Sequence, residues 1–402
     1  MISVPEAEEK IQNSLPVLDT EWCSYAQAAG RMLRRSIIAD RPLPPYPRVM
    51  MDGFAVCLNK GEASSEDQWE LEGTAYAGEP QKSLQDSAKA MQVMTGAVLP
   101  EGADSVIPYE WVERKENVIQ LLSGKTVTAG QYVHGKGSDY PRGAVLVEAR
   151  RPLSSRELAV AVSNGKVELE VSRLPRLAFI SSGDELVEPE DTPEPHQIRR
   201  SNTLALRILV ERQHLGQGES FHVQDRPDAT RACLEEQLQK KEVLVISGGV
   251  CKGEKDYFAE LLEELGVEKR FHRVAQKPGK PFWFGKHPDG PLVFAFPGNP
   301  VSSLVGAHRY LLPALEKMMA CRAKPPARVV LGKPFSFDPP LTLFLPVRLR
   351  VDNDTGISSA LPCPVSNSGD YASLVATDGF IQLPAERNTF EPGEVFPFYP
   401  WR

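Results

Sequence analysis

The sequence has no C-x-x-C pair, although it carries six cysteines: Cys23, Cys57, Cys233, Cys251, Cys321 and Cys363. Scattered thiols exclude the usual zinc spacings and a disulfide framework, and they fit a reducing cytoplasm. No apolar run approaches the roughly 18 residues of a membrane span. Basic residues are in the minority, with a formal net charge of -7, so bulk attraction to nucleic acid is not expected. The opening MISVPEAEEK lacks the basic-then-apolar pattern of a secretion signal. None of the seven histidines lies in an H-x-x-x-H or H-x-H arrangement, and no G-x-S-x-G elbow occurs. Low-complexity segments and internal repeats are absent as well.

What is there reads as a multidomain globular chain. With 402 residues, 41% of them hydrophobic, it is too long for one ordinary core. Its 35 prolines cluster in 42–47, 186–195, 278–300 and near the C-terminus, as fixed loops and domain junctions require. The first forty residues read as helix, from Ala7, Ile11 and Leu15, then Tyr25, Ala29 and Leu33, at helical spacing. Residues 153–171 return to a helix that ends near Gly165, with Ser154 or Ser155 as N-cap. Segments 1–40 and 141–170 are therefore expected to form one helical linking domain. Between them, 41–140 alternates short strands with glycine turns, a small β-rich domain. From 171 to 320 the pattern is βαβ, the signature of a doubly wound α/β sheet. Residues 321–402 turn β-rich again, as a barrel-like domain.

The chemistry gathers where the α/β strands end. In VLVISGGVCKGEKDY, the buried-strand run Val243–Ile246 stops on Gly248 and Gly249 before the charges begin. Glycines there let the backbone turn sharply and approach a ligand. Ligands in open α/β sheets bind at the carboxyl ends of the strands. A lone Gly-Gly is more simply a tight βα connection. Three neighbouring turns change that: ISSGDEL (180–186), QKPGKPFWFG (276–285) and FPGNPVSS (296–303). Lys277 and Lys280 flank a rigid Pro-Gly. Gly298 and Asn299 add backbone N–H groups, and Ser302 and Ser303 lie at a helix start. These are anion-binding parts. Asp184, Glu185, Asp225 and Asp256 are carboxylates of the kind that Mg²⁺ takes alongside substrate phosphates. Cys251 reads as a small buried residue of a tight turn rather than a nucleophile.

ISGGVCKGEKDY, QKPGKPFWFGK and FPGNPVSSLV, in this order and spacing, resemble motifs of the molybdopterin molybdenumtransferase family, to which the C-terminal domain of gephyrin is related. MMDGFAV (50–56), MTGAVLPEGADSVI (94–107), SSGDEL (181–186) and NSGDYASLVATDGFIQLP (367–384) extend the resemblance over almost the whole chain. The resemblance implies a cytoplasmic, Mg²⁺-dependent transferase. It would bind adenylylated molybdopterin and molybdate, release AMP and form the molybdenum cofactor. It implies catalytic roles for Asp52, Asp139, Glu185, Lys277 and Lys280, and Mg²⁺ on Asp225 and Asp256. Substrate contacts carry over to Thr95, Ser182, Gly183, Gly248, Gly249, Pro297, Gly298, Asn299, Pro300, Ser302, Ser368 and Ser373. It also implies a homodimer, joined through the helical segments, whose site is shared between subunits. The adenylyltransferase that makes the substrate is an expected partner; nucleic acid and membrane are not. The chain departs from the family's usual PPFDNSAMDGYA at Pro47, Arg48 and Val49, and at Arg200, where an acidic residue is usual. Arg48 and Arg200 are candidate anion contacts. A non-catalytic molybdopterin carrier or scaffold is the alternative reading.

Overall fold

The computed structural model describes residues 1–59, 61–249, 257–365, 367 and 369–402. They form two compact units. One comprises Met1–Arg35, Arg150–Ser155 and Glu168–Arg402; the other comprises Ser36–Ala149 and Arg156–Val167. No helix among the described residues is long and apolar enough to cross a membrane.

The larger unit contains the doubly wound α/β sheet. Its strand order is Gln217–Val223, Arg176–Ser182, Val243–Ser247, Leu292–Phe296, Trp283–Lys286, Glu268–His272. The first four strands run parallel, and the last two pairings, Leu292–Phe296 with Trp283–Lys286 and Trp283–Lys286 with Glu268–His272, are antiparallel. Val243–Ser247 and Leu292–Phe296 are buried at every position, in keeping with the unbroken apolar runs Val243–Ile246 and Leu292–Phe296. Alternate residues enter different cores, as the strand's period of two dictates. Leu177, Phe179, Val245 and Phe294 meet Leu206, Leu209 and Tyr310 on one face. Ala178, Ile180, Leu244 and Ile246 meet Leu234, Phe258 and Leu262 on the other. Ser181 pairs with Ser247, and Ser247 with Phe296, so three parallel strands end level. The helix Pro300–Gly306 continues through a π turn, Ala307–Leu311, into Leu312–Met318.

In the C-terminal part of the same unit, Thr342–Val351 pairs with both Ser358–Pro362 and Gly379–Leu383. Ala327–Leu331 and Val395–Pro400 complete the ring. Closure removes free sheet edges. The two-residue strand Gln276–Lys277 pairs with Thr342 and Leu343 of this ring, so the lysine turn is anchored to it.

The smaller unit is built on a sheet ordered Ser105–Pro108, Gly53–Val56, Lys89–Val93, Gln68–Ala75, Val118–Leu121, Val112–Lys115. Phe54, Trp69, Ile107 and Ile119 fill one side; Ala55, Met91, Val93 and Val106 fill the other. Gly53 is required by close approach: a Cβ there would lie 2.0 Å from the Ile107 carbonyl oxygen.

The helical reading of the first forty residues holds only for Val4–Gln12, which Ser3 and Glu6 close in a reciprocal capping box. Thr20–Ser24 is instead a strand paired with Glu168–Ser172, and Tyr25–Gln27 is a single 3₁₀ turn. Leu33 forms a bridge to Val171 rather than a helical face. The second helix covers Ser155–Ser163. The edge strand Gln217–Val223 carries too many polar residues to stand out in the sequence.

Candidate active site

The level strand ends bring the predicted glycine turns together. The Gly248 N–H donates to the Phe296 carbonyl at 3.0 Å, which joins the Gly-Gly turn to Pro297. A Cβ on Gly298 would sit 3.6 Å from the Gly248 Cα, and one on Gly248 would sit 3.6 Å from the Ser182 carbonyl oxygen. Ser182, Gly248, Gly249, Pro297 and Gly298 are thus neighbours. Gly249 has φ of +65°, and a Cβ there would lie 2.3 Å from the Phe258 ring, so no other residue fits.

Asn202 and Ser247, which the sequence did not single out, hold this edge in place together with the predicted Ser303 and Asn299. The Asn202 amide donates to Ser247 Oγ at 3.0 Å and to the Gly298 carbonyl at 2.7 Å. Ser303 Oγ donates to the Pro297 carbonyl at 2.8 Å and lies 3.4 Å from Ser247 Oγ. Asn299 occupies the N-cap position of the Pro300 helix, and its carbonyl accepts the Ser303 N–H. Asn202 sits in the IRRSN segment, so only that motif could have signalled it.

The lysine turn reaches the same place. A Cβ on Gly279 would lie 3.9 Å from the Ser302 Cβ. Lys277 and Lys280, one on each side of Pro278-Gly279, are exposed, and neither forms an ion pair with a described residue. The Lys277 ammonium lies 5.4 Å from the centre of the Phe337 ring. These are two cations on a turn fixed at both ends, next to a glycine edge.

Carboxylates stand at the next strand end. The Asp225 N–H donates to Asp184 Oδ1 at 3.2 Å, which places these two acids together. Glu185 folds back over Gly183. Among the described residues no group of three or more His, Cys, Asp or Glu could hold a metal ion. Asp256 and Ser368 lie outside the described residues. Ser373 donates to Asp370 at 2.7 Å, within its own turn. Arg200 is paired with Glu188 at 2.7 Å, so its charge is compensated locally.

The smaller unit has two polar groupings of its own. Asp52 Oδ1 accepts from both the hydroxyl and the N–H of Thr95, each at 2.7 Å. The Thr95 hydroxyl, then its N–H, holds the Asp52 carboxyl below the usual range, so it stays ionised. Arg48 and His134 are cross-strand partners. Arg48 Nη2 lies 3.2 Å from His134 Nδ1, and His134 Nε2 lies 2.8 Å from Asp139 Oδ1. Arginine has no acceptor, so Nδ1 accepts and Nε2 carries the hydrogen donated to Asp139. Arg48 is therefore engaged in orienting a predicted catalytic carboxylate.

Three family comparisons match in sequence. Residues 2–165 match the MoeA N-terminal region (domain I and II), 178–317 a probable molybdopterin binding domain, and 328–401 the MoeA C-terminal region (domain IV). The chain is 39% identical to a molybdopterin molybdenumtransferase of Synechocystis sp. over 402 residues, all of both chains. It is 29% identical to one of Bacillus subtilis, over 98% of this chain and 92% of the other. A solved molybdopterin biosynthesis MoeA protein of Pyrococcus horikoshii has a TM-score of 0.81 at 30% identity, covering 100% of this chain and 99% of the other. A second from that organism has a TM-score of 0.85 at 24% identity, with both chains fully covered. These full-length matches and the glycine edge beside the lysine turn agree: the chain belongs to the molybdopterin molybdenumtransferase family.

Proposed function

We propose that the protein inserts molybdate into adenylylated molybdopterin, releasing AMP and forming the molybdenum cofactor. The observation that carries this reading is the approach of Gly279, between Lys277 and Lys280, to Ser302 of the helix that follows the Gly298 turn. Molybdate is a tetrahedral dianion, and two cations on a fixed turn suit it. Glycine N–H groups, with Ser182, Asn299 and Ser302, suit the phosphates of the pterin nucleotide. Asp52 is an ionised carboxylate fixed by Thr95, and Asp139 is oriented by His134. These two and Glu185 are assigned as acceptors for substrate hydrogens. The remaining substrate contacts are assigned to Thr95, Gly183, Pro297, Pro300, Ser368 and Ser373.

The acids fit Mg²⁺. Asp225 lies beside Asp184, and Asp256 follows the glycine turn in sequence. Mg²⁺ is satisfied by one or two carboxylates with phosphate oxygens and water. When bound, it would offset the charge of the phosphates and ease departure of AMP. The working form is taken as a cytoplasmic homodimer supplied by the adenylyltransferase.

The test measures AMP release from adenylylated molybdopterin with and without molybdate. Molybdate-dependent release supports the transferase reading. Tight binding of the pterin nucleotide with no release at any molybdate concentration overturns it.

A further inference from the structure

The π turn Ala307–Leu311 buries three polar side chains in succession, His308, Arg309 and Tyr310. Each has a partner. His308 Nδ1 lies 2.8 Å from the Leu304 carbonyl, and its Nε2 accepts the Arg402 N–H at 3.1 Å. Arg309 pairs with Glu8 and donates to Gln382 at 3.3 Å. The Tyr310 hydroxyl donates to Gln276 Oε1. Gln276 is 1% exposed and immediately precedes Lys277. Its amide nitrogen donates to the Pro278 carbonyl at 3.1 Å and the Gly279 carbonyl at 3.3 Å. Those two carbonyls lie between Lys277 and Lys280.

We propose that Tyr310 and Gln276 are positioning residues that fix the turn carrying Lys277 and Lys280. The inference rests on the reading of those lysines as the molybdate contacts. Both lysine side chains are exposed, so their aim is set by the backbone that bears them. One glutamine side chain closes that backbone by binding two consecutive carbonyls. The tyrosine in turn fixes the glutamine. Burial holds the Tyr310 hydroxyl protonated, so it remains a donor at every working pH.

The helix geometry explains why a π turn lies here. Ser302 and Tyr310 face the same lysine turn, one beside Gly279 and the other bonded to Gln276. Residues eight apart in a regular helix are rotated by about 80° and face different sides. A π turn absorbs one extra residue, which restores roughly the alignment of residues seven apart, within about 20°. A single helix can then hold the lysine turn at two points.

The test uses Tyr310→Phe, Gln276→Met and the double variant in the AMP-release assay, with Lys277→Ala and Lys280→Ala alongside. Tyr310→Phe keeps the ring, whose centroid lies 5.0 Å from that of Phe282. Each single variant is expected to raise the KM for molybdate about tenfold: Tyr310→Phe removes the bond that fixes the glutamine, and Gln276→Met removes that bond and the two to the Pro278 and Gly279 carbonyls. The KM for the pterin nucleotide and the kcat should stay near wild type. The double variant should be no worse than the poorer single one, because the pair acts as a unit. A fall in thermal midpoint with an unchanged molybdate KM would make the pair merely structural and overturn the inference. So would additive effects of the two substitutions. If the lysine variants alone raise the molybdate KM, the inference fails and the function stands. If the lysine variants leave it unchanged as well, the anion site is elsewhere and both fail.

Discussion

Lys277 and Lys280 owe their value to what they lack. Their ammonium groups are exposed, and neither is tied to a described carboxylate. Replacement should therefore leave folding intact. Lys277→Ala and Lys280→Ala are expected to raise the molybdate KM roughly ten- to a hundredfold, the usual cost of one charge-assisted contact. The thermal midpoint should stay within a degree or so of wild type on the ~0.5 kcal/mol scale of surface substitutions. A melting curve and a molybdate titration on the same sample check both halves. Asp225 and Asp256 call for a different substitution. Asparagine keeps an oxygen for N–H donors and removes the charge that Mg²⁺ needs. Asp225→Asn and Asp256→Asn are expected to lower AMP release by about an order of magnitude at limiting Mg²⁺, with stability unchanged. Full activity at limiting Mg²⁺ in both would remove the metal from this edge. At this scale the sequence was legible wherever composition alone announces chemistry: lysines beside Pro-Gly, glycines ending a buried run. Asn202 and Ser247 were not legible. Their importance is a matter of which groups they reach, and that depends on segments far apart in the chain.

Among the elements, those with a strong period or an unbroken apolar run could be read. Val243–Ser247 and Leu292–Phe296 lie in the sheet interior, and burial on both faces leaves only one reading. Thr20–Ser24 could not be read, because four of its five residues, Thr20, Glu21, Cys23 and Ser24, carry no strong apolar signal. Its strandedness comes from pairing with Glu168–Ser172. The π turn was equally invisible, since its cause is the set of partners that its polar side chains must reach. One of them yields a pH prediction. Burial lowers the His308 pKa to about 4, against an ordinary value of 6.5. The unfolded chain thus takes up a proton near pH 6.5 that the folded protein refuses until about 4. Stability from this group is complete above pH 6.5 and is lost as pH falls towards 4. The full loss is about 3 kcal/mol. His308→Gln retains an acceptor for Arg402 and a donor for Leu304 but does not titrate. Between pH 7 and pH 4, the thermal midpoint of the wild type should fall further than that of the variant. Parallel curves would mean that His308 is charged in the folded state.

At the scale of the whole molecule, the assigned residues divide between the two compact units. Asp52, Thr95 and Asp139 belong to the smaller unit, and Lys277, Lys280 and the glycine edge to the larger. If the site is shared between the subunits of a homodimer, as the family resemblance implies, a smaller unit from one subunit serves a larger unit of its partner. Symmetry gives such a dimer two equivalent sites. Asp52→Asn and Lys280→Ala then damage different halves of a site. Assayed with molybdate below the wild-type KM, each variant alone should keep about a tenth of wild-type activity or less. After subunit exchange of an equal mixture, half the dimers are mixed, and each mixed dimer has one site with both residues intact. Activity should recover to about a quarter of wild type. If both halves of a site come from the same chain, every site in the mixture keeps one defect and nothing is recovered. Light scattering on the same samples must show a dimer. A monomer at micromolar concentration would rule out the shared site, whatever the activity.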